Sequence, residues 1–144
     1  MLKGIPSILS PELLKVLMEM GHGDEIVISD GNFPGASMAQ RLIRADGHGC
    51  PELVDAILEL FPLDSVYSDK QVVLMEVVPG DTYIPEIWDE YEKIVEKHDP
   101  NAKFDHMERF AYYERAKKAY AVVQTGETAI YANIILKKGV VVPE

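Results

Sequence analysis

Apolar residues recur along the chain at the three- and four-residue spacing of an amphipathic helix. Three segments have this spacing and a fourth has helical composition; they are residues 11–20, 51–61, 85–98 and 110–119. The first carries a clear start signal, because Ser10 is an N-cap residue type, Pro11 suits the first helical position and Glu12 complements the helix dipole. Gly21 stands where a residue with left-handed backbone would end that helix.

Short runs rich in β-branched and aromatic residues alternate with these helices and predict strands. They are residues 25–30, 41–45, 71–78, 104–107, 120–124 and 130–136, and glycine and proline mark a loop at 31–35. Strands that alternate with helices along a whole chain predict an α/β fold, here a three-layer α/β/α sandwich with a mixed, mainly parallel sheet. No repeat or linker marks a boundary, so residues 1–144 are expected to form a single domain.

Composition narrows the classes of function. The chain has 144 residues, 47% of them hydrophobic, which is enough to bury a core. Fourteen Lys and Arg against 24 Asp and Glu give a formal net charge of −10, so nucleic acid and anionic membranes are not expected as partners. The apolar runs are shorter than the roughly 20 residues of a membrane span. The single cysteine, Cys50, has no internal disulfide partner, which favours a reducing, cytoplasmic location.

Two histidines flanked by glycines are the candidates for proton transfer. His22 lies in Gly-His-Gly-Asp at residues 21–24, and Asp30 follows at the end of the next predicted strand. Histidine exchanges protons near neutral pH, and flanking glycines leave its ring uncrowded. The competing interpretation of His22 is a surface residue at a helix end. His48 lies in a predicted turn, where a structural role is favoured.

Polar side chains later in the chain suit a neutral polyol. Tyr131 and Asn133 are two residues apart in a predicted strand, so they share one face and offer a phenol and a carboxamide together. Arg109 stands at a predicted helix start, where the dipole disfavours a cation, and is a further candidate donor to sugar hydroxyls. The ordinary alternatives are a sheet tyrosine with its hydroxyl at the rim and a surface arginine.

Other kinds of site are not expected. None of the four histidines has the i, i+4 pairing or Cys/His spacing of a metal site, so no structural zinc is predicted. The sequence contains no glycine-rich phosphate loop and no Gly-x-Ser-x-Gly nucleophile motif. Cys50 precedes Pro51 at a predicted helix start, which allows a thiol of lowered pKa, but a structural free thiol is favoured.

Long ordered blocks of the sequence closely resemble the fucose mutarotase family. They are LLKVLMEMGHGDEI (13–26), NFP (32–34), IRADG (43–47), RFAYYERA (109–116), QTGE (124–127) and YANIILKKG (131–139). The resemblance covers nearly the whole chain. It implies cofactor-free interconversion of the anomers of L-fucose or a related monosaccharide, in a ring-shaped homo-oligomer of decameric form.

The resemblance also implies roles for five residues. His22 matches the family's catalytic proton donor and Asp30 a substrate-binding acid, while Arg109, Tyr131 and Asn133 match sugar-binding positions.

Two further positions bear on the sugar. Ala132 stands where the fucose branch often has glycine, and Tyr-Ala-Asn is the form of the related ribose pyranases. Met107 stands where the pyranases have an active-site histidine; a thioether cannot exchange protons, so L-fucose is favoured over D-ribose. The alternatives are a D-ribose pyranase and a non-catalytic sugar-binding module.

Overall fold

The computed structural model describes residues 1–143, which form five helices and one six-stranded sheet. The helices are α1 (Pro11–Glu19), α2 (Gly35–Met38), α3 (Cys50–Leu58), α4 (Ile87–His98) and α5 (Arg109–Lys118). The strands are β1 (Glu25–Ser29), β2 (Leu42–Ala45), β3 (Val72–Met75), β4 (Phe104–Met107), β5 (Ala121–Thr125) and β6 (Ile134–Lys137). Within residues 1–143, none of the helices is long and apolar enough to cross a membrane.

The strand order is β2-β5-β1-β6-β3-β4, and one strand runs against the others. β6 pairs antiparallel with both β1 and β3, whereas the β1–β5, β2–β5 and β3–β4 pairs are parallel. The C-terminal ends of the five parallel strands therefore meet the N-terminal end of β6 along one side of the sheet, which we call the carboxyl edge. This arrangement confirms the predicted mixed, mainly parallel sheet.

Alternating side chains of the strands supply two hydrophobic cores, one on each face of the sheet. Ile26 and Ile28 of β1 belong to the larger core, which α1, α3 and α4 cover, while Val27 belongs to the smaller core, which α5 covers. The four central strands, β1, β3, β5 and β6, are buried on both faces because helices lie on both sides. The three-layer α/β/α arrangement is therefore also confirmed.

The structure differs from the sequence prediction at a few boundaries. α1 ends at Glu19 and its C-cap Met20 has a φ of −63°, which is not left-handed; the positive φ predicted for Gly21 is found instead at Gly23, at 86°. β6 begins only at Ile134, so the predicted strand over 130–136 is wrong for its first half. The loop predicted at 31–35 ends in the short helix α2.

Ser10 caps α1, and its removal should be measurable in the stability of the protein. Its Oγ accepts a hydrogen bond from the backbone N–H of Leu13 at 3.2 Å. We expect Ser10→Ala to lower the free energy of unfolding by about 1 kcal/mol, because an N–H of the first turn loses its partner. Urea denaturation measures the change, with the exposed Ser7→Ala as the matched control. Equal stability of the two variants would contradict the capping role.

Candidate active site

Asp30 is a buried carboxyl at the carboxyl edge, directly after β1. Its Oδ1 accepts a hydrogen bond from the backbone N–H of Asn32 at 2.9 Å. Burial raises the pKa of Asp30 above its ordinary value; N–H groups of residues 32, 132 and 33 oppose the rise, and the charge of Glu127 adds to it. The site therefore contains a desolvated carboxyl that is surrounded by backbone donors.

Asn133 lies beside Asp30 because β6 runs next to β1 in the opposite direction. The backbone N–H of Asp30 donates to Oδ1 of Asn133 at 2.9 Å, in a buried position. Gln124, at the end of β5, donates from Nε2 to the carbonyl of Asp30 at 2.7 Å. A side chain near the end of β5 and one just before β6 thus hold the backbone at the end of β1 in one place.

Tyr131 adopts a backbone conformation that bulky residues rarely take. Its φ is 57°, and among residues 1–143 no other non-glycine residue has a positive φ. Its hydroxyl donates to Oδ2 of Asp81 at 2.8 Å, and its ring stacks on Tyr83 with the centroids 5.9 Å apart. Such a conformation costs roughly 1 kcal/mol or more and persists only where surrounding contacts hold it.

Arg109 begins α5, immediately beyond the C-terminal end of β4, and is exposed. Its guanidinium carbon lies 4.6 Å from the centroid of the Phe110 ring. The hydrogen bond to Asp81 raises the pKa of Tyr131, and the positive charge of Arg109 opposes that rise. Arg109 is therefore on the same edge of the sheet as Tyr131, Asn133 and Asp30.

His22 lies at the other edge of the sheet, before the start of β1. Its Nε2 is 2.8 Å from Oδ1 of Asp64, a buried carboxyl, and its ring packs edge-on against Tyr67 with the centroids 5.1 Å apart. The side chain of His22 is 45% exposed, so the ring remains open to solvent on one side. The result is an imidazole with one nitrogen fixed by a carboxylate.

The structure therefore brings four of the five predicted residues to one edge and leaves the fifth at the opposite edge. Five residues of β1 separate the two positions, a span of about 17 Å at the rise of a strand. Within one copy of the chain, His22 does not reach Asp30. A site that uses both of these residues needs a second copy.

Three residues that shape these two edges were missed by sequence reasoning. Asp64 contacts the ring of His22. Asp81 accepts a hydrogen bond from the hydroxyl of Tyr131, and Trp88 donates one to the carbonyl of Tyr131. Each is more than 40 residues from its partner along the chain. The only available signal was residue type, a lone acid or tryptophan near a predicted loop or helix start, and such a signal does not single out a residue.

The surroundings of Cys50 and His48 indicate structural roles. Cys50 is fully buried and contacts the hydroxyl of Thr125 at 3.4 Å; burial raises its pKa to about 12, so the alternative of a thiol of lowered pKa is wrong. His48 contacts Glu52 one turn away on an exposed surface, in the predicted turn.

His98, Asp55 and Glu59 place three metal-binding atoms within 4.8 Å of one another, a grouping that the sequence spacing did not show. Both His98 Nε2 and Lys97 Nζ lie 2.6 Å from the same Oδ1 of Asp55. These two contacts lower the pKa of Asp55, with Lys97 the larger cause. The contacts of Lys97 and His98 with Asp55 join α4 to α3.

A sequence profile of the RbsD / FucU transport protein family matches residues 3–141. The chain belongs to this family. Among its relatives, the fucose mutarotase of Danio rerio is 53% identical over 150 residues, covering 99% of this chain and 96% of that protein.

Solved structures of the RbsD / FucU family have the same fold. The crystal structure of the fucose mutarotase from Streptococcus pneumoniae, in complex with L-fucose, matches with a TM-score of 0.92 and 57% identity, covering 98% of this chain and 100% of that one. Bacillus subtilis RbsD complexed with D-ribose matches with a TM-score of 0.74 over 99% of this chain and all of that one. At 24% identity, this match shows only that the two chains share a fold.

The raised pKa of Asp30 predicts how its replacement changes stability with pH. In the pH range between the unfolded and the folded pKa of Asp30, the folded protein binds more protons, so wild-type stability falls as pH rises through that range. We expect Asp30→Asn to remove this loss, so that stability of the variant relative to wild type increases with pH. Urea denaturation at a series of pH values measures the difference. A difference that is independent of pH would contradict the prediction, and Asp69→Asn serves as an exposed control.

Proposed function

We propose that the chain is an isomerase that interconverts the α and β anomers of L-fucose. The observation that carries this proposal is the 57% identity, over 98% of the chain, with an enzyme that was solved as a fucose mutarotase in complex with L-fucose. The polar groups of the carboxyl edge support it, because a phenol, a carboxamide, a carboxyl and a guanidinium suit the hydroxyls of a neutral sugar. We assign this activity to a single domain of residues 1–144.

Exchange of anomers requires two proton transfers. One proton is delivered to the ring oxygen and another leaves the anomeric hydroxyl, which opens the ring to the aldehyde. Rotation about the bond to the carbonyl carbon and closure on its other face then give the second anomer. Each bond that forms matches one that breaks, so the reaction consumes no co-reactant and no cofactor is proposed.

His22 is the residue we assign to proton delivery. An ionised carboxylate only accepts hydrogen bonds, so Asp64 keeps a proton on Nε2 and leaves Nδ1 as the atom that gains and loses a proton. A buried carboxylate that orients a histidine in this way preserves both the tautomer and the direction of the ring. Asp64 is therefore proposed as a positioning residue.

The carboxyl edge is proposed as the sugar-binding half. Asp30 and Asn133 are held by the hydrogen bond between them, so their remaining oxygen and nitrogen atoms present a fixed set of acceptors and donors to hydroxyls. Arg109 adds donors, and the hydroxyl of Tyr131, whose proton is donated to Asp81, adds an acceptor. The positive charge of Arg109 favours the partial negative charge that develops on an oxygen as the ring opens.

The separation of the two halves supports a homo-oligomer. Opposite edges of one sheet meet only when the second copy docks head to tail, and such contacts form a ring when the rotation between copies closes. Large apolar side chains are exposed at both edges: Val66 and Tyr67 beside His22, at 82% and 67%, and Ile84 and Phe110 beside the sugar-binding half, at 80% and 62%. We therefore propose a ring of copies with shared sites, of the decameric form that the resemblance implies.

Two other functions are alternatives to the proposed mutarotase activity. A D-ribose pyranase is the enzymatic alternative, and Met107 disfavours it because its thioether cannot replace an imidazole. A sugar-binding module without catalysis is the second alternative.

The single buried thiol supports a cytoplasmic location. The net charge of −10 gives no reason to expect nucleic acid or an anionic membrane as a partner.

Two-dimensional exchange NMR on L-fucose at equilibrium tests the activity. We expect the protein to increase the α/β exchange rate, and His22→Ala to lower the enzymatic rate by about 10²- to 10⁴-fold, the usual contribution of one acid or base. His48→Ala, with the other glycine-flanked histidine, is the matched control and should keep the wild-type rate.

The same experiment separates the alternatives. Growth of furanose signals with D-ribose, without acceleration of fucose exchange, would favour the pyranase. Shifts of L-fucose resonances without faster exchange would favour the binding module. An unchanged rate in His22→Ala would overturn the assignment of His22.

Mixing two impaired variants tests the shared site. We expect His22→Ala and Asn133→Ala each to exchange the anomers of L-fucose only weakly when assayed alone. A mixture of the two refolded together at equal amounts should recover about a quarter of the wild-type sites, because one site in four then receives both intact residues. If both residues of a site came from one chain, no site in the mixture would be intact. Exchange NMR on the mixture, with each variant alone as control, distinguishes the two arrangements.

A further inference from the structure

Three consecutive residues of the sugar-binding half are each held by a hydrogen bond from another part of the chain. Trp88 Nε1 donates to the carbonyl of Tyr131 at 2.8 Å, and the hydroxyl of Tyr91 donates to the carbonyl of Ala132 at 2.6 Å. The backbone N–H of Asp30 donates to the side chain of Asn133 at 2.9 Å. Two of these three bonds come from the first turns of α4.

Trp88 and Tyr91 reach this segment together because residues three apart lie on the same face of a helix. Tyr91 is fully buried and packs in the larger core, so the position of α4 is fixed by the fold. Trp88 is half-buried, and its ring lies 5.0 Å from that of His106 on β4. The indole is thus held between β4 and the segment that carries Tyr131.

The bond from Trp88 is made to the one non-glycine residue within 1–143 that has a positive φ. The carbonyl that it holds belongs to Tyr131, whose φ of 57° sets where the phenol points. An L-residue leaves the left-handed region readily when nothing holds it there, because the β and right-handed regions are lower in energy. The hydrogen bond that Trp88 donates to the carbonyl of Tyr131 therefore acts directly on which of these conformations the residue adopts.

We propose that Trp88 is a positioning residue of the sugar site, which keeps Tyr131 in its left-handed conformation and so directs its phenol toward the substrate. This inference rests on the proposed function, since it concerns the same sugar. Trp88 acts through Tyr131 and contacts no sugar itself. Loss of its N–H should therefore weaken sugar binding while the fold is retained.

The chain contains one tryptophan, which allows an isosteric test. Expression in a tryptophan auxotroph that is fed β-(3-benzothienyl)alanine replaces only Trp88 and exchanges the N–H for sulfur at nearly constant shape. The same procedure with 5-fluorotryptophan keeps the N–H and provides the matched control. Both proteins are then titrated with L-fucose by calorimetry and assayed by exchange NMR.

We expect the benzothienyl protein to bind L-fucose about three- to tenfold more weakly than the fluorotryptophan protein, the range that loss of one hydrogen bond gives. The exchange rate at saturating sugar should change less than the affinity, because His22 is untouched. A purely structural role would lower thermal stability and leave the affinity of the folded protein unchanged. Circular dichroism confirms that both proteins are folded at the temperature of the titration.

Two further measurements keep the test decisive. Tyr91→Phe removes the neighbouring bond to the carbonyl of Ala132 and should also weaken binding, whereas Gln40→Met removes a similar bond to the carbonyl of Ala119 away from the site and should not. The fluorine resonance of 5-fluorotryptophan should shift when L-fucose is added.

Equal affinity of the benzothienyl and fluorotryptophan proteins would overturn the role of Trp88 while leaving the proposed function intact. If the fluorotryptophan protein and the wild type both fail to bind or exchange L-fucose, the proposed function fails, and the positioning role with it.

Discussion

The antiparallel insertion of β6 between two parallel strands is the constraint on which the candidate site depends. Hydrogen bonds to β1 on one side and β3 on the other fix both its register and its direction. Because it runs backwards, residues that precede it along the chain arrive where the neighbouring strands end. An all-parallel sheet of the same strands would place Tyr131 and Asn133 at the far side, away from Asp30.

The direction of β6 also explains how the site combines burial with polarity. Asp30 and Asn133 are both buried; the backbone N–H of Asp30 donates to the side chain of Asn133, and the carboxyl of Asp30 accepts from the backbone N–H of Asn32. A buried polar group without a partner is costly, so this pairing allows hydrogen-bonding side chains to persist beside the hydrophobic core. Tyr131 then turns away from the sheet through its left-handed backbone, which α4 and Asp81 hold in place.

Local patterns were sufficient to predict most of the fold. The strand at residues 104–107 was predicted to the residue, and the N-cap of α1 was correct, because alternation and capping depend on neighbours in sequence. The strand at 130–136 was overpredicted, since its apolar and aromatic residues have strand propensity while the contacts from Trp88 and Tyr91 impose another conformation. The partner of His22 depends on the tertiary fold and could not be found from one sequence.

The placement of His22 and Asp30 at opposite ends of β1 has a consequence for how such a protein evolves. In the shared site proposed above, each gene copy encodes both sides of every contact between neighbours. A substitution that damages one side is therefore repeated around the whole ring, and a compensating change in the same gene is repeated with it. In a cell that carries two alleles, each damaging a different half of the site, the two products would complement each other. In a population with a single allele, selection would act on the two ends of β1 as a single unit.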